Sequence, residues 1–89
     1  MKEGHIYIDG IISSDYHLVV KRQIDALGDI DKIIVHIQSP GGSVYAGYNT
    51  YHVLKSSGKK IEAIIEGECQ SIATFIMLAA ESGNLKVTV

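Results

Sequence analysis

The chain has 89 residues and a formal net charge of −2, with 46% hydrophobic and 20% charged residues. This composition is typical of a globular protein and argues against intrinsic disorder. The length fits one small domain, and no basic cluster is longer than Lys59-Lys60. The sequence therefore gives no reason to expect nucleic acid or an anionic membrane as a partner.

The cysteine content and the apolar segments indicate the cellular compartment. Cys69 is the single cysteine, which excludes an internal disulfide and favours a reducing compartment. The N-terminus runs directly into a strand-like segment and lacks the apolar core of a signal peptide. The longest mainly apolar stretch, residues 72–80, is far too short to span a bilayer. We therefore expect a cytoplasmic protein without a membrane-spanning segment.

The first half of the chain predicts a strand, a helix and a second strand. The β-formers of residues 5–8 predict a strand that ends at Asp9-Gly10. Ser13-Ser14-Asp15 supplies N-cap residues, and the apolar residues that follow at helical spacing predict a helix that stops at Gly28. Residues 33–37, IIVHI, are nearly all apolar, as expected of a buried parallel strand.

The second half continues this alternation. Ser43 can cap a second helix that ends near residues 56–58, and a third strand is predicted over residues 60–65. A third helix over residues 71–81 and a fourth strand over residues 85–89 complete the pattern. The order predicts a single α/β domain with a mainly parallel sheet. Since no element follows to cover the last strand, we expect part of a longer domain.

Two segments carry the candidate chemistry, each at a predicted strand-to-helix junction. Residues 39–43, SPGGS, follow the second strand, and residues 67–71, GECQS, follow the third. Ligands of open α/β sheets bind at the carboxyl ends of strands, and the two glycines leave backbone N–H groups uncovered. The pattern predicts Ser71 as a nucleophile at a helix start, with the N–H groups of Gly42 and Ile72 as an oxyanion hole.

Each segment by itself has a plainer interpretation. A serine before a helix is usually an N-cap, and Pro-Gly-Gly after a strand is usually a turn. Phosphate binding is disfavoured because the turn lacks the spacing and the lysine of a P-loop. Cys69 as a rival nucleophile and His36 as a base are better explained as a small buried residue and a hydrogen-bonded core histidine.

Ionisable side chains elsewhere predict no further site. None of the four histidines lies in a catalytic motif, and no set of His, Cys, Asp and Glu has metal-ligand spacing. We expect neither a metal nor a cofactor. The acidic residues of the turns and of the third strand are interpreted as solvated charges: Asp29, Asp31, Glu62, Glu66 and Glu68.

The two segments also carry a family resemblance. Residues 34–47, IVHIQSPGGSVYAG, resemble the Clp protease proteolytic subunit family, especially its phage-type members. Residues 67–73, GECQSIA, resemble the nucleophile motif of that family, and the distance between the motifs fits as well. The resemblance extends over nearly the whole chain. It implies a ClpP-like and crotonase-like spiral of ββα units, of which residues 1–89 form the N-terminal part of one protease domain.

The resemblance implies a serine endopeptidase with a Ser-His-Asp triad. By position Ser71 is its nucleophile, and Gly42 and Ile72 supply the oxyanion hole. The backbone after the second strand would hold a polypeptide substrate like an added strand. The residues implied in that contact are Gly41, Ser43 and Val44. The family's triad histidine and aspartate follow the next strand, beyond Val89, so we expect this chain by itself to be close to inactive.

The resemblance also implies assembly. Family members form homo-oligomeric rings that enclose the serines, often with an ATP-driven unfoldase as partner. The apolar helix surface around Tyr45, Tyr48, Tyr51 and Val53 favours packing against copies of the chain.

Two other functions stay open at the level of sequence. A ring subunit that has kept the fold and lost the triad would be a non-catalytic scaffold, since a fold does not guarantee its chemistry. Within enzymes, crotonase relatives use the same oxyanion hole for acyl-CoA chemistry, and signal-peptide-peptidase relatives use a Ser-Lys dyad. The first requires a CoA site and the second a lysine in a recognisable motif, and the sequence shows neither.

Overall fold

A computed structural model describes residues 2–80 and 85–88 of the chain. The four strands form one parallel sheet in the order β1-β2-β3-β4. The elements in chain order are β1 (Glu3–Asp9), α1 (Tyr16–Leu27), β2 (Lys32–Ser39), α2 (Val44–Ser56), β3 (Lys60–Cys69), α3 (Ile72–Ile76), the 3-10 turn η1 (Met77–Ala79) and β4 (Leu85–Thr88). The predicted α/β fold with a parallel sheet is confirmed.

One face of the sheet forms the hydrophobic core with the helices. Side chains of β1 alternate strictly between exposed and buried, as a strand covered on one face requires. In β2, Ile33 and Ile37 are fully buried. They join one apolar cluster with Val20 of α1, Leu54 of α2 and Ile76 of α3. Burial of this face therefore fixes the helices against the sheet.

The ends of α1 and α2 follow the predicted signals with one exception. Ser43 is the N-cap of α2, and its hydroxyl accepts a hydrogen bond from the Ala46 N–H at 3.1 Å. Gly28 ends α1 with a positive φ of 73°. Asp15 occupies the N-cap position of α1 without a capping hydrogen bond, because its carboxylate accepts from the Ser13 hydroxyl at 3.0 Å instead.

The third strand and the third helix differ from the prediction. β3 continues through residues 66–69, which the sequence placed in a loop, because Cys69 still pairs with Ser39 of β2. α3 spans five residues, and a 3-10 turn follows it. Three of the five are β-branched, which lowers helix propensity. Glu81 and Val89, the predicted ends of the third helix and the fourth strand, lie outside the described residues.

The opposite face of the sheet carries a buried ion pair. The Lys32 ammonium lies 2.7 Å from a carboxylate oxygen of Glu62 and 3.7 Å from one of Glu3. Glu62 is only 5% exposed, so the prediction of a solvated charge was wrong for this residue. Its partner Lys32 lies on the neighbouring strand and 30 residues earlier in the chain, so the sequence alone does not reveal the pair. The hydrogen bond and the charge of Glu62 raise the pKa of Lys32 above its ordinary value.

A chain of hydrogen bonds crosses the same face. His36 Nδ1 lies 2.9 Å from Glu66 Oε1, and His36 Nε2 lies 2.8 Å from His5 Nδ1. The His36 ring also stacks on Tyr7, with 4.7 Å between the ring centroids. The predicted hydrogen-bonded histidine is therefore confirmed, and its carboxylate partner Glu66 has a side chain that is 44% exposed. Within residues 2–80 and 85–88, no helix has the length and apolar character needed to cross a membrane.

Ile37 provides a test of the core. Its side chain is 0% exposed, whereas that of Ile11 is 72% exposed. We expect Ile37→Ala to lower the free energy of unfolding by about 2–5 kcal/mol, because it removes buried methyl groups and leaves a cavity. The matched variant Ile11→Ala should change it by less than about 0.5 kcal/mol. Denaturant unfolding followed by circular dichroism measures both, and equal effects would contradict this core.

Candidate active site

Two loops meet where β2 and β3 end. Ser39, the last residue of β2, pairs with Cys69, the last residue of β3. The Gln70 N–H then donates a hydrogen bond to the Ser39 carbonyl at 3.0 Å. Because parallel strands end at the same edge of a sheet, the glycine loop after β2 and the Ser71 turn after β3 lie side by side.

Ser71 occupies a strained turn between β3 and α3. Its φ of 56° and ψ of −131° make it the one residue other than glycine with a positive φ in the described part of the chain. Such a conformation costs about 1–3 kcal/mol and concentrates at functional sites. The Ser71 hydroxyl makes no capping hydrogen bond and the residue is exposed. The structure therefore disfavours the plain N-cap interpretation of this serine.

Gly41 packs directly against Ser71. A Cβ atom built on Gly41 would lie 2.6 Å from the Ser71 Cβ and 3.2 Å from its hydroxyl oxygen. The φ of Gly41 is also +104°, a region that favours glycine. Both the close approach and the backbone conformation therefore require glycine, and the loop lies in contact with the serine.

Backbone hydrogen bonds to Ile12 hold the residues on either side of Gly42. The Ile12 N–H donates to the Gly41 carbonyl at 2.9 Å, and the Ser43 N–H donates to the Ile12 carbonyl at 2.7 Å. Ile12 and Gly42 thus form an isolated parallel bridge. Ile12 bonds the residues on either side of Gly42, so the Gly42 N–H is not bonded to Ile12. Ile12 follows β1, so this bridge holds the β1 side of the glycine loop.

Ile72, the other predicted donor, begins α3. The N–H of the first helical residue has no acceptor within its own helix. The Ile72 side chain packs on Gly47 of α2, where a Cβ atom would clash with the Ile72 Cγ1, so only glycine allows this close approach. Gly42 and Ile72 therefore belong to the two segments that meet at Ser71, and their role as oxyanion donors stays a prediction.

The predicted substrate-binding backbone is partly engaged within the chain. The Gly41 N–H donates to the Ser39 hydroxyl oxygen at 3.0 Å, and its carbonyl accepts from Ile12. The Ser43 N–H also bonds to Ile12, and the Ser43 carbonyl accepts from the Gly47 N–H at 3.0 Å. An added substrate strand would therefore depend on the residues between and after these two, Gly42 and Val44.

The four histidines have other contacts. His5 and His36 form the chain of hydrogen bonds on the sheet, His17 lies edge-on to Tyr45, and His52 lies edge-on to Tyr48 and Tyr51. In residues 2–80 and 85–88, no hydrogen bond or ring contact joins any of them to Ser71. The same residues contain no group of three or more His, Cys, Asp and Glu arranged to hold a metal ion.

Cys69 lies two residues before Ser71 and is half-buried. Burial raises the pKa of its thiol above the ordinary value, and a hydrogen bond with Thr74 offsets part of that shift. The thiolate, which is the nucleophilic form, is therefore disfavoured at neutral pH. This environment agrees with the interpretation of Cys69 as a packing residue.

A serine on a strained strand-to-helix turn, beside a glycine loop at the end of a parallel sheet, is an arrangement typical of acyl-transfer hydrolases. The family model for Clp protease matches residues 1–88. The chain belongs to this family, as the resemblance of its two motifs predicted.

Individual relatives agree with this membership. The chain is 34% identical over 69 residues to an ATP-dependent Clp protease proteolytic subunit of Porphyromonas gingivalis, covering 74% of this chain and 31% of that protein. It is 28% identical over 86 residues to the subunit of the same name from Carsonella ruddii, covering 94% of this chain and 44% of that protein. The chain therefore spans less than half the length of these relatives.

A solved structure confirms the fold. A ClpP1 point mutant from Listeria monocytogenes superposes with a TM-score of 0.84 at 29% sequence identity, covering 90% of this chain and 48% of that chain. The predicted ClpP-like arrangement of β-α units is thereby confirmed. The sequence placed Ser39 in the candidate glycine segment without a role of its own and did not single out Ile12, because the bonds from Ile12 to Gly41 and from Gln70 to Ser39 join segments that lie far apart in the chain.

Gly41 offers a test of the loop contact. We expect Gly41→Ala to destabilise the fold by about 2–4 kcal/mol, because the new methyl group adds a clash with Ser71 to the strain of a positive φ. Gly58 is the matched control, since its φ is +74° and a Cβ there meets nothing within 4 Å. Gly58→Ala should cost about 1–2 kcal/mol. Thermal unfolding measures both, and equal costs would contradict the contact.

Cys69 offers a test of its environment. At pH 7.5 we expect the folded protein to react with a thiol reagent about tenfold more slowly than the urea-unfolded protein. The raised pKa means that the folded state holds the thiol proton more tightly. This stabilising contribution is complete below the ordinary pKa of 9.0 and is lost as the pH rises through the raised value. Cys69→Ala should remove this decrease of the free energy of unfolding at alkaline pH. Equal rates of thiol labelling in the folded and the unfolded protein would contradict the raised pKa of Cys69.

Proposed function

We propose that this chain is part of a serine endopeptidase that hydrolyses peptide bonds by acyl transfer through Ser71. The observation that carries the proposal is the positive φ of Ser71 together with the contact between that residue and Gly41. The names of the relatives, proteolytic subunits of ATP-dependent Clp proteases, support the same reaction class. The strained turn presents the serine hydroxyl at the end of the sheet, as attack on a carbonyl requires.

The proposed chemistry follows from the two segments. The Ser71 Oγ attacks the carbonyl carbon of the scissile peptide bond, and its proton passes to a base. The oxygen of the tetrahedral intermediate accepts hydrogen bonds from the N–H groups of Gly42 and Ile72. Loss of one such donor costs about 3–4 kcal/mol of transition-state stabilisation. The base gives the proton taken from Ser71 to the amide nitrogen as the C–N bond breaks and the amine leaves. Water then attacks the acyl-enzyme and loses a proton to the base, which returns it to the Ser71 Oγ as the acid product leaves.

The base is assigned to no residue of this chain. All four histidines have their observed contacts elsewhere in the described residues, and the relatives are more than twice as long as the matched region. We therefore propose that the base is the triad histidine implied by the family resemblance, oriented by the triad aspartate. Because triad members act as a unit, the chain without them should be nearly inactive.

The substrate proposed for the site is an extended polypeptide. A peptide strand would hydrogen-bond the backbone at Gly42 and Val44, next to the end of β2. Val44 is 68% exposed, so its side chain is accessible to the substrate. The proposed acyl transfer uses neither a metal nor a cofactor, since the serine, its base and the backbone donors supply each step.

We also propose assembly into a homo-oligomeric ring in the cytoplasm, served by an ATP-driven unfoldase. The name of the relatives includes ATP dependence, which supports a partner that supplies it. Along α2, Tyr45 is 68% and Tyr48 50% exposed, whereas Tyr51 is half-buried against Phe75. Packing against a second subunit would remove this apolar area from water. The alternative function, a non-catalytic scaffold, would not require the strained backbone conformation of Ser71.

The test of the nucleophile uses the whole protein that contains this sequence. We expect Ser71→Ala to lower peptidase activity by about 10³-fold or more and to abolish labelling by a fluorophosphonate probe. Ser56 at the end of α2 is exposed, so Ser56→Ala is the matched control and should keep both. Mass spectrometry of the labelled protein should place the probe on Ser71. Activity that persists in Ser71→Ala would exclude the proposal.

A further inference from the structure

Ser39 has two hydrogen bonds that join the two halves of the site. It is 0% exposed, and its hydroxyl oxygen accepts from the Gly41 N–H at 3.0 Å. Its carbonyl accepts from the Gln70 N–H at 3.0 Å. The side chain of this one residue thus holds the glycine loop, and its backbone holds the residue before Ser71.

The loop depends on such a bond because of its sequence. Pro40 has no N–H group, so the first donor after β2 belongs to Gly41. Gly41 and Gly42 have φ values of +104° and +148°, and glycine adopts many other conformations at little cost. The Ser39 hydroxyl satisfies the buried Gly41 N–H and selects one of these conformations.

The position of Gly42 depends on the same loop. Ile12 holds the β1 side of the loop through its bonds to Gly41 and Ser43. The other side faces Ser71, and there the Ser39 hydroxyl bonds the residue that touches the serine. Without this hydroxyl, the loop would keep its contact with Ile12 and lose the hydrogen bond that sets its distance from Ser71.

We propose that the Ser39 hydroxyl is a positioning group that holds the Gly41-Gly42 loop against the Ser71 turn and so fixes the oxyanion donor of Gly42. This inference rests on the peptidase function proposed above. Ser39 itself touches neither substrate nor the reacting atoms. Its effect is therefore confined to the transition state, where the donor must lie at hydrogen-bond distance from the developing oxyanion.

The kinetic test uses the whole protein that contains this sequence. We expect Ser39→Ala to lower kcat about tenfold to a hundredfold with KM nearly unchanged, because a misplaced donor weakens binding of the oxyanion and not of the substrate. Ser39→Cys keeps the side chain close to its original shape but provides only a weak acceptor. It should fold and show the same loss of kcat.

Thr50 is the matched control. It is also 0% exposed, and its hydroxyl donates to the Ala46 carbonyl at 2.7 Å inside α2. Thr50→Val removes a buried hydroxyl of the same kind and is expected to lower the melting temperature while leaving kcat unchanged. A loss of kcat in Thr50→Val equal to that in Ser39→Ala and Ser39→Cys would reduce the role of Ser39 to general stability and overturn the inference.

Hydrogen–deuterium exchange separates this inference from the proposed function. The Gly41 amide should exchange about tenfold or more faster in Ser39→Ala and Ser39→Cys, and at the wild-type rate in Thr50→Val. Unchanged exchange in the Ser39 variants would overturn the inference even if the enzyme is active. Failure of wild type to hydrolyse peptides would overturn the proposed function, while the exchange rates would still report whether Ser39 holds the loop.

Discussion

The pairing of Ser39 with Cys69 at the ends of β2 and β3 is the constraint on which the site depends. Ile37 pairs with Ile65 and Ser39 with Cys69, so β3 uses four residues where β2 uses two. Such a bulge bends a strand and redirects the residues beyond it. It brings Gln70 and Ser71 level with the glycine loop. Had the ladder continued without the shift, Gly67 would pair with Ser39, and the serine would follow four residues later.

Close packing at glycine maintains this arrangement. Gly41 allows the loop to touch Ser71, and Gly47 allows α2 to touch Ile72 at the start of α3. The turn is therefore held from both sides, by the loop and by the helix. The strain of about 1–3 kcal/mol at Ser71 is small beside the burial of the strands and helices that enforce it. The conformation of Ser71 is thus a consequence of the packing of two layers and not of its own sequence.

This explains which features the sequence predicted. Some features depend on neighbours within a few residues, and the structure has them where predicted: the strand at residues 33–37, the Ser43 N-cap and the end of α1 at Gly28. The length of β3 and the burial of Glu62 depend on partners in β2, which are about 30 residues away in the chain. Ser71 illustrates the limit. Its local sequence is typical of an N-cap, and only its backbone conformation and its contact with Gly41 distinguish it from one.

Several segments of the described chain contact the Ser71 turn or the loop beside it. Ile12 anchors the glycine loop, Ser39 joins it to Gln70, and α2 supports α3. None of these contacts requires the base, which the proposed function assigns to another part of the protein. The geometry of the Ser71 turn therefore depends on packing among β1, β2, β3, α2 and α3, whereas the proposed reaction needs a base in addition. In the proposed reaction, the preorganised electrostatic contribution would come from these backbone segments, and the proton transfer from the base assigned elsewhere.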